Sequence, residues 1–102
     1  MLSVEKKKSD LVVRLSGEID HNAASRMRHE LDALMEEEPR IQRLVFDMRG
    51  VEFMDSSGIG MLIGRYKLMR RRGGSVAVTG VDRRVDKIFV MAGLYQIIEK
   101  LA

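Results

Sequence analysis

The sequence has no cysteine and no tryptophan, a single proline, and only three phenylalanines and two tyrosines. The absence of cysteine excludes a disulfide framework, a thiolate metal site and a thiol redox role. One proline and a hydrophobic content of 45% exclude a collagen-like or disordered chain. No apolar run approaches the roughly 20 residues that cross a bilayer, and none follows the basic N-terminus as in a secretory signal. We therefore expect one soluble, cytoplasmic domain over residues 1–102.

The charge balance is only mildly basic, because 18 lysines and arginines stand against 15 aspartates and glutamates, a net charge of +3. Basic residues cluster only at residues 6–8 and 70–72, and few aromatic residues accompany them. A nucleic-acid interface needs a continuous basic face and aromatic side chains that stack on bases. The composition therefore predicts neither a nucleic-acid partner nor a membrane partner.

Hydrophobic periodicity predicts an α/β fold. Strands are predicted at residues 3–7, 11–15, 41–47, 75–79 and 97–98, and helices at residues 23–37, 57–72 and 82–92. Residues 18–22 are predicted to be a polar connection in which Asp20 or Asn22 caps the first helix, and residues 49–55 a turn and a loop. The strands that flank the second helix should be parallel. This predicts a small sheet of four to five strands packed against three or more helices.

A hydrolase is not supported by the few residues that could build one. A catalytic triad could draw only on Ser56 or Ser57, His21 and Asp20, and the nucleophile-elbow pattern G-x-S-x-G is absent. The other histidine, His29, falls on the polar side of the first predicted helix, where a solvated residue is expected. We therefore expect no enzymatic activity.

Metal and cofactor sites are not predicted either. Glu18, Asp20 and His21 offer a single imidazole at poor spacing for a metal ion. The glycine pattern G-x-G-x-x-x-G at the start of the second helix differs from the dinucleotide fingerprint G-x-G-x-x-G, and the lysine of a phosphate-binding loop is missing. We expect the protein to have no metal ion and no cofactor.

Ser56 and Ser57, in the segment MDSSGIG (residues 54–60), stand where the second helix should begin. In the simplest interpretation, Asp55 and the serines cap that helix by accepting hydrogen bonds from its free amides. The alternative is a regulatory site, because a serine at an exposed loop–helix junction is open to phosphorylation. A phosphate would add about −1.5 to −2 charges, which a helix N-terminus tolerates and a docking surface does not. Both interpretations fit the residues.

The second helix has apolar residues on two sides. Its core face is predicted to consist of Ile59, Leu62, Ile63, Tyr66 and Met69. Nearly opposite lie Gly60, Met61, Gly64 and Leu68. Two glycines inside a helix cost roughly 1 kcal/mol each against alanine, which suggests a close approach on that side. The approaching element is either a neighbouring helix of the same domain or a binding partner.

Four stretches, which span nearly the whole chain, match the pattern of a known family. They are LSGEIDHNAA (residues 15–24), LVFDMRGVEFMDSSGIGMLIGRYK (44–67), GG (73–74) and FVMAGLYQII (89–98). MDSSGIG followed by GRYK is the more specific part. On these residues the chain resembles the STAS domain of bacterial anti-sigma-factor antagonists, among them those of the sporulation sigma-F pathway. The resemblance implies a STAS-like fold, a small mixed β-sheet covered by helices.

The resemblance also implies a function. Such antagonists have no enzymatic activity; when unphosphorylated they bind an anti-sigma factor that is also an ATP-dependent serine kinase, and so release sigma factor. The kinase phosphorylates the antagonist, and a protein serine phosphatase resets it. The implied acceptor is Ser56, with Ser57 as the runner-up, and Asp20 and Asp55 should lie beside it. The implied partner surface continues along the helix through Ser57, Gly58, Gly60, Met61, Gly64 and Leu68.

Two departures from the family pattern bear on partner choice. The chain ends at Ala102, so a further C-terminal helix seen in relatives is expected to be missing or short. Residues 80–82 read Gly-Val-Asp where the family often has a proline. STAS-like domains also occur as sensors, so a small-ligand or nucleotide-binding module is an alternative function. A scaffold subunit of a signalling assembly is another.

Overall fold

The computed structural model describes residues 1–101 and contains five β-strands, three α-helices and one 3₁₀-helix. In chain order they are β1 (Leu2–Lys7), β2 (Asp10–Ile19), α1 (His21–Glu37), β3 (Arg43–Met54), α2 (Ser56–Arg71), β4 (Ser75–Thr79), α3 (Arg83–Met91), the 3₁₀-helix (Leu94–Gln96) and β5 (Glu99–Lys100). The three predicted helices and the first four predicted strands are confirmed. Within residues 1–101, no helix is both long and apolar enough to span a membrane. Ala102, which the predicted domain includes, lies outside the described residues.

The strands form one mixed sheet in the order β1-β2-β3-β4-β5. β1 and β2 are antiparallel, whereas each neighbouring pair from β2 to β5 is parallel. Every parallel pair is joined by a crossover that contains one α-helix, and right-handed crossovers to successive neighbours place these helices on the same face of the sheet. The predicted mixed sheet, with parallel strands on both sides of the second helix, is confirmed.

The core lies between the sheet and the helices. Leu44, Phe46 and Met48, alternate residues of β3, are buried in one cluster with residues of all three α-helices, among them Leu31, Leu62 and Phe89. Side chains alternate across a strand, so the residues between them point to the other face. The domain therefore has two layers, with one apolar core between them.

The face of the sheet without helices carries ion pairs. Arg43 of β3 donates a hydrogen bond to Asp10 of β2 at 2.8 Å, and Arg14 of β2 donates one to Glu5 of β1 at 2.9 Å. Arg14 also lies 3.7 Å from Asp47 of β3. Arginine stems cover apolar strand surface while their guanidinium groups stay in water, so this face does not require a second helical layer.

β2 and β3 extend further than the sequence predicts. Residues 18–19 belong to β2 instead of a polar connection, and β3 continues through the predicted turn and loop to Met54. The two strands stay paired until Ile19 lies opposite Met54, with shifts in register on the way. A Cβ at Gly50 would lie 2.8 Å from Ser16 Cβ, so the irregular pairing needs glycine there. Pairing with the neighbouring strand extends β3 where local propensity favours a turn.

The last strand also differs from the prediction. Ile97 and Ile98 follow the 3₁₀-helix, and β5 is the next pair, Glu99–Lys100. Ile98 is buried in the core and Ile97 is 38% exposed, so Ile98 alone packs into the domain and neither residue belongs to a strand.

Candidate functional site

Two aspartates mark the edge of the sheet where β2 and β3 end. Ile19 and Met54, the last residues of these parallel strands, lie opposite each other in the register. The next residues, Asp20 and Asp55, are the N-caps of α1 and α2. Asn22, the other predicted cap, is instead the second residue of α1. Both helices therefore begin side by side, and the partial positive charges of their N-termini lie at the same edge.

Backbone amides hold both carboxylates. Asp55 Oδ1 accepts hydrogen bonds from the amides of Ser57 at 2.8 Å and Gly58 at 3.2 Å. Asp20 Oδ1 accepts one from the amide of Ala23 at 2.9 Å. The capping interpretation is confirmed for the two aspartates, whose side chains satisfy helix amides that would otherwise lack an acceptor. The edge thus carries two fixed negative charges.

The two serines have different environments. Ser56 is the first residue of α2 and is exposed, and its hydroxyl forms no hydrogen bond with the rest of residues 1–101. Ser57 is partly buried, and its Oγ lies 3.2 Å from Nδ1 of His21, the first residue of α1. That hydrogen bond joins the first turns of the two helices. Of the two candidate acceptors, Ser56 has the accessible hydroxyl.

The residues considered for catalysis do not assemble into a triad. His21 reaches Ser57, but the carboxylate of Asp20 is engaged by the amide of Ala23 and does not orient the imidazole. His29 is exposed on α1. Among residues 1–101, no group of three or more histidine, cysteine, aspartate or glutamate residues could hold a metal ion.

Close packing requires a glycine at the start of α2 and not further along it. A Cβ at Gly58 would lie 2.3 Å from Met54 Cγ and 3.2 Å from Ile19 Cγ2. A Cβ at Gly60 or Gly64 would meet no atom within 4 Å. A neighbouring helix of the same domain, α1, does lie on that side of α2, as one of the two alternatives expected, but its packing requires glycine at neither position. Approach by a separate partner stays a prediction.

The other apolar residues of that side of α2 face the interior. Met61 is only 4% exposed and belongs to the core, so it offers little surface to a partner. Leu68 is half-buried and packs against the same core. Met61 is buried because α1 runs alongside α2 there, and its assignment to a partner surface stays a prediction. On the predicted core face, Ile59, Leu62 and Met69 are buried, as expected.

Arg65, which is not predicted as a site residue, is buried on the same side of α2. Its side chain is 7% exposed, and its Nε lies 3.3 Å from Asp32 Oδ1 of α1 without hydrogen-bond geometry. Burial lowers the pKa of Arg65, the Asp32 carboxylate raises it, and the like charge of Arg28 lowers it. A signal was available, since Arg65 follows Met61 by four positions and precedes Leu68 by three, so all three lie on one stripe.

A cavity of about 280 Å³ opens between the first halves of α1 and α2. It is lined by residues of both helices: His21, Ala24, Ser25 and Arg28 of α1, and Ser57, Gly60 and Met61 of α2. Small-molecule sites usually measure roughly 300–1,000 Å³. The cavity beside the serines is therefore better matched to one side chain or a small anion than to a nucleotide.

Comparisons with known sequences agree on one family. The family model for the STAS domain matches residues 1–102. The anti-sigma F factor antagonist of Paenibacillus polymyxa is 36% identical over 96 residues, which cover 94% of this chain and 81% of the relative. The anti-sigma-B factor antagonist of Bacillus subtilis (strain 168) is 31% identical over 98 residues, with coverage of 96% and 87%.

A solved structure shows the same fold. The anti-sigma factor antagonist SpoIIAA in its unphosphorylated form matches with a TM-score of 0.85 and 24% identity, over 100% of this chain and 89% of that one. The structural match supports the fold, and the family model and the sequence relatives decide the family. The chain belongs to the STAS-domain family of anti-sigma-factor antagonists.

Proposed function

We propose that this protein is an anti-sigma-factor antagonist whose unphosphorylated form binds a serine-kinase anti-sigma factor and thereby frees a sigma factor. The bound kinase phosphorylates Ser56, which ends the interaction, and a protein serine phosphatase restores it. The names of the relatives support the class of partner, since they are antagonists of anti-sigma factors. The observation that carries the choice of residue is the exposed Ser56 hydroxyl at the first position of α2.

The neighbouring side chains support Ser56 over Ser57 as the acceptor. The Ser57 hydroxyl contacts His21 and is partly buried between the two helices. Oδ1 of Asp55 accepts hydrogen bonds from two backbone amides, which holds this carboxylate in place beside the acceptor. In this proposal the protein is the substrate of a kinase and acts by binding, as the names of its relatives indicate.

Phosphorylation would change the charge of this edge and leave the fold intact. A phosphate on Ser56 adds about −1.5 to −2 charges, and the N-terminus of α2 tolerates them. The carboxylates of Asp20 and Asp55 already stand at the same edge. The summed negative charge repels acidic groups of a docked partner and is costly to bury. Release therefore requires no conformational change in this protein.

The experiment incubates the protein with candidate serine-kinase anti-sigma factors and ATP, and mass spectrometry locates the added phosphate. We expect phosphate on Ser56 in the wild type and in Ser57→Ala, and none in Ser56→Ala. Calorimetry should then show that phosphorylated protein binds the kinase roughly 100- to 1,000-fold more weakly, about 2.7–4.1 kcal/mol. Equal affinity of the phosphorylated and unphosphorylated forms would contradict the switch.

The cavity beside the serines keeps a small-ligand sensor as the second candidate function. Thermal-shift measurements with a panel of nucleotides test it, because a ligand that binds only the folded state raises the melting temperature with its concentration. A nucleotide-dependent rise without binding to any anti-sigma factor would favour the sensor.

A further inference from the structure

The polar groups that line the cavity between α1 and α2 are positive or neutral, and Ala24, Gly60 and Met61 form the rest of the lining. Arg28 and His21 are exposed at its border, and Ser25 and Ser57 contribute hydroxyl groups. None of the lining side chains carries a carboxylate. Arg28 has a permanent positive charge, and all four side chains are able to donate hydrogen bonds. Such a lining is complementary to an oxyanion and unfavourable for a cation.

The charges next to the cavity are consistent with this preference. Arg65 lies one helical turn beyond Met61, a cavity residue, and Arg28 is close enough to lower the pKa of its guanidinium. Asp32 faces Arg65 at 3.3 Å and compensates that arginine, whereas no carboxylate of residues 1–101 is paired with Arg28. Gly60 has open space where a Cβ would stand, which keeps that part of the cavity accessible.

We propose that this cavity receives the carboxylate of an aspartate or glutamate side chain presented by the anti-sigma factor that docks over Ser56. This inference rests on the proposed function and names the chemistry of the partner at that surface. The volume of about 280 Å³ is suited to one side chain. Exposed arginine holds a free anion weakly in water, whereas a partner that covers the cavity removes the screening solvent and strengthens the same pair.

The position of the cavity explains why docking would be sensitive to phosphorylation. Ser57 lines the cavity, and Ser56 precedes it at the start of α2. A phosphate on Ser56 would therefore stand beside the partner carboxylate. Like charges at short range across a desolvated contact cost several kcal/mol in general, which is enough to release the partner.

The test compares binding of the serine-kinase anti-sigma factor to variants of two arginines on α1. Arg28→Glu, Arg28→Gln and Arg28→Lys change the cavity, and Arg26→Glu is the matched control. Arg26 is exposed on the same helix and does not line the cavity. Arg28→Glu and Arg26→Glu change the net charge equally, so a difference between them reports on the cavity. Melting temperatures verify that each variant is folded.

We expect Arg28→Glu to weaken binding roughly 10- to 100-fold, Arg28→Gln to weaken it less, and Arg28→Lys to bind nearly as the wild type. Arg26→Glu should stay within roughly twofold of the wild type. Binding of the wild type should weaken with added salt, and that dependence should be shallower in Arg28→Glu.

Three outcomes would overturn the inference. Unchanged binding of Arg28→Glu, or equal losses in Arg28→Glu and Arg26→Glu, would refute the cavity contact and leave the antagonist function intact. Inorganic phosphate that shifts the amide resonances of Ser25 and Gly60 saturably, together with unchanged partner binding of Arg28→Glu, would assign the cavity to a free anion. Failure of the wild type to bind every candidate kinase would remove the proposed function, and this inference with it.

Discussion

The two ends of the α1–α2 pair are held together differently. At the C-terminal end, Arg72, the C-cap of α2, donates hydrogen bonds to the carbonyl oxygens of Met35 at 3.1 Å and Glu38 at 3.0 Å, at the end of α1. At the N-terminal end, each helix is capped by its own aspartate. There, a side-chain hydrogen bond between His21 and Ser57 joins the two helices.

Because of this difference, we expect one end of the α1–α2 pair to contribute mainly to stability and the other mainly to partner binding. At the C-terminal end, a side chain of α2 donates hydrogen bonds to free carbonyl oxygens of α1, which holds the two helix ends together. Where each helix is capped locally, the first turns need no partner across the gap. A cavity and an exposed serine are compatible with such an end, because the side-chain hydrogen bond between His21 and Ser57 does not fill the space between the helices. Substitutions at the C-terminal end should therefore mainly lower the stability of the protein. Substitutions at the N-terminal end should mainly weaken binding of the partner.

The largest effect on stability is expected midway between the two ends, at the pair of Asp32 and Arg65. Asp32→Ala leaves the buried guanidinium without its carboxylate and should lower the free energy of unfolding by about 2–3 kcal/mol. Arg65→Met removes the buried charge itself and should be neutral or stabilising. Urea unfolding of both variants measures the two changes. Equal destabilisation by both would show that Arg65 matters through packing and not through its charge.

Gly58→Ala should be the most destabilising change at the N-terminal end. The new Cβ would be placed 2.3 Å from Met54 Cγ inside the core, and the forced repacking should cost about 1–2 kcal/mol. Thermal unfolding monitored by circular dichroism measures the loss. A variant as stable as the wild type would mean that Met54 moves aside without cost.

Arg72→Ala tests the hydrogen bonds that join the C-terminal ends of α1 and α2. Loss of its hydrogen bonds to the end of α1 should lower the free energy of unfolding by about 1 kcal/mol, since the guanidinium is partly solvated. Arg71→Ala, an exposed neighbour on the last turn of α2, is the control and should change stability by less than about 0.5 kcal/mol. Binding to the anti-sigma factor should be the same for both variants, because neither residue lies near Ser56. If Arg72→Ala weakened binding, the separation between the two ends would fail.

Gly60→Ala should have the smallest effect and the opposite sign. Its Cβ enters open space, so the higher helix propensity of alanine should raise the free energy of unfolding by about 0.5–1 kcal/mol. Chemical denaturation detects such a gain. A loss of stability would show that the helix is not regular at this position.

The predictions from sequence are confirmed where a local pattern of residues is compatible with only one local structure. The stripe of Ile59, Leu62 and Met69 is buried, and an aspartate followed by serines begins a helix, as predicted. They fail where a neighbour overrides the pattern. β3 continues through the turn-like Arg49 and Gly50 because β2 pairs with it. Arg65 is buried because α1 covers that side of α2, and the stripe that Arg65 shares with Met61 and Leu68 does not identify the helix that covers it.

For the candidate site, the residue types and their order along the chain are enough to identify the serines, the capping aspartates and the helix that follows them. Periodicity and hydrogen-bonding capacity are local properties, so the printed sequence carries them. Only the tertiary structure decides which serine is free, since the hydrogen-bond partner of Ser57 is His21 on another helix. The cavity likewise depends on tertiary structure, because it forms where α1 and α2 begin at the paired ends of β2 and β3. Its charge depends on which residues of these two helices the fold brings together.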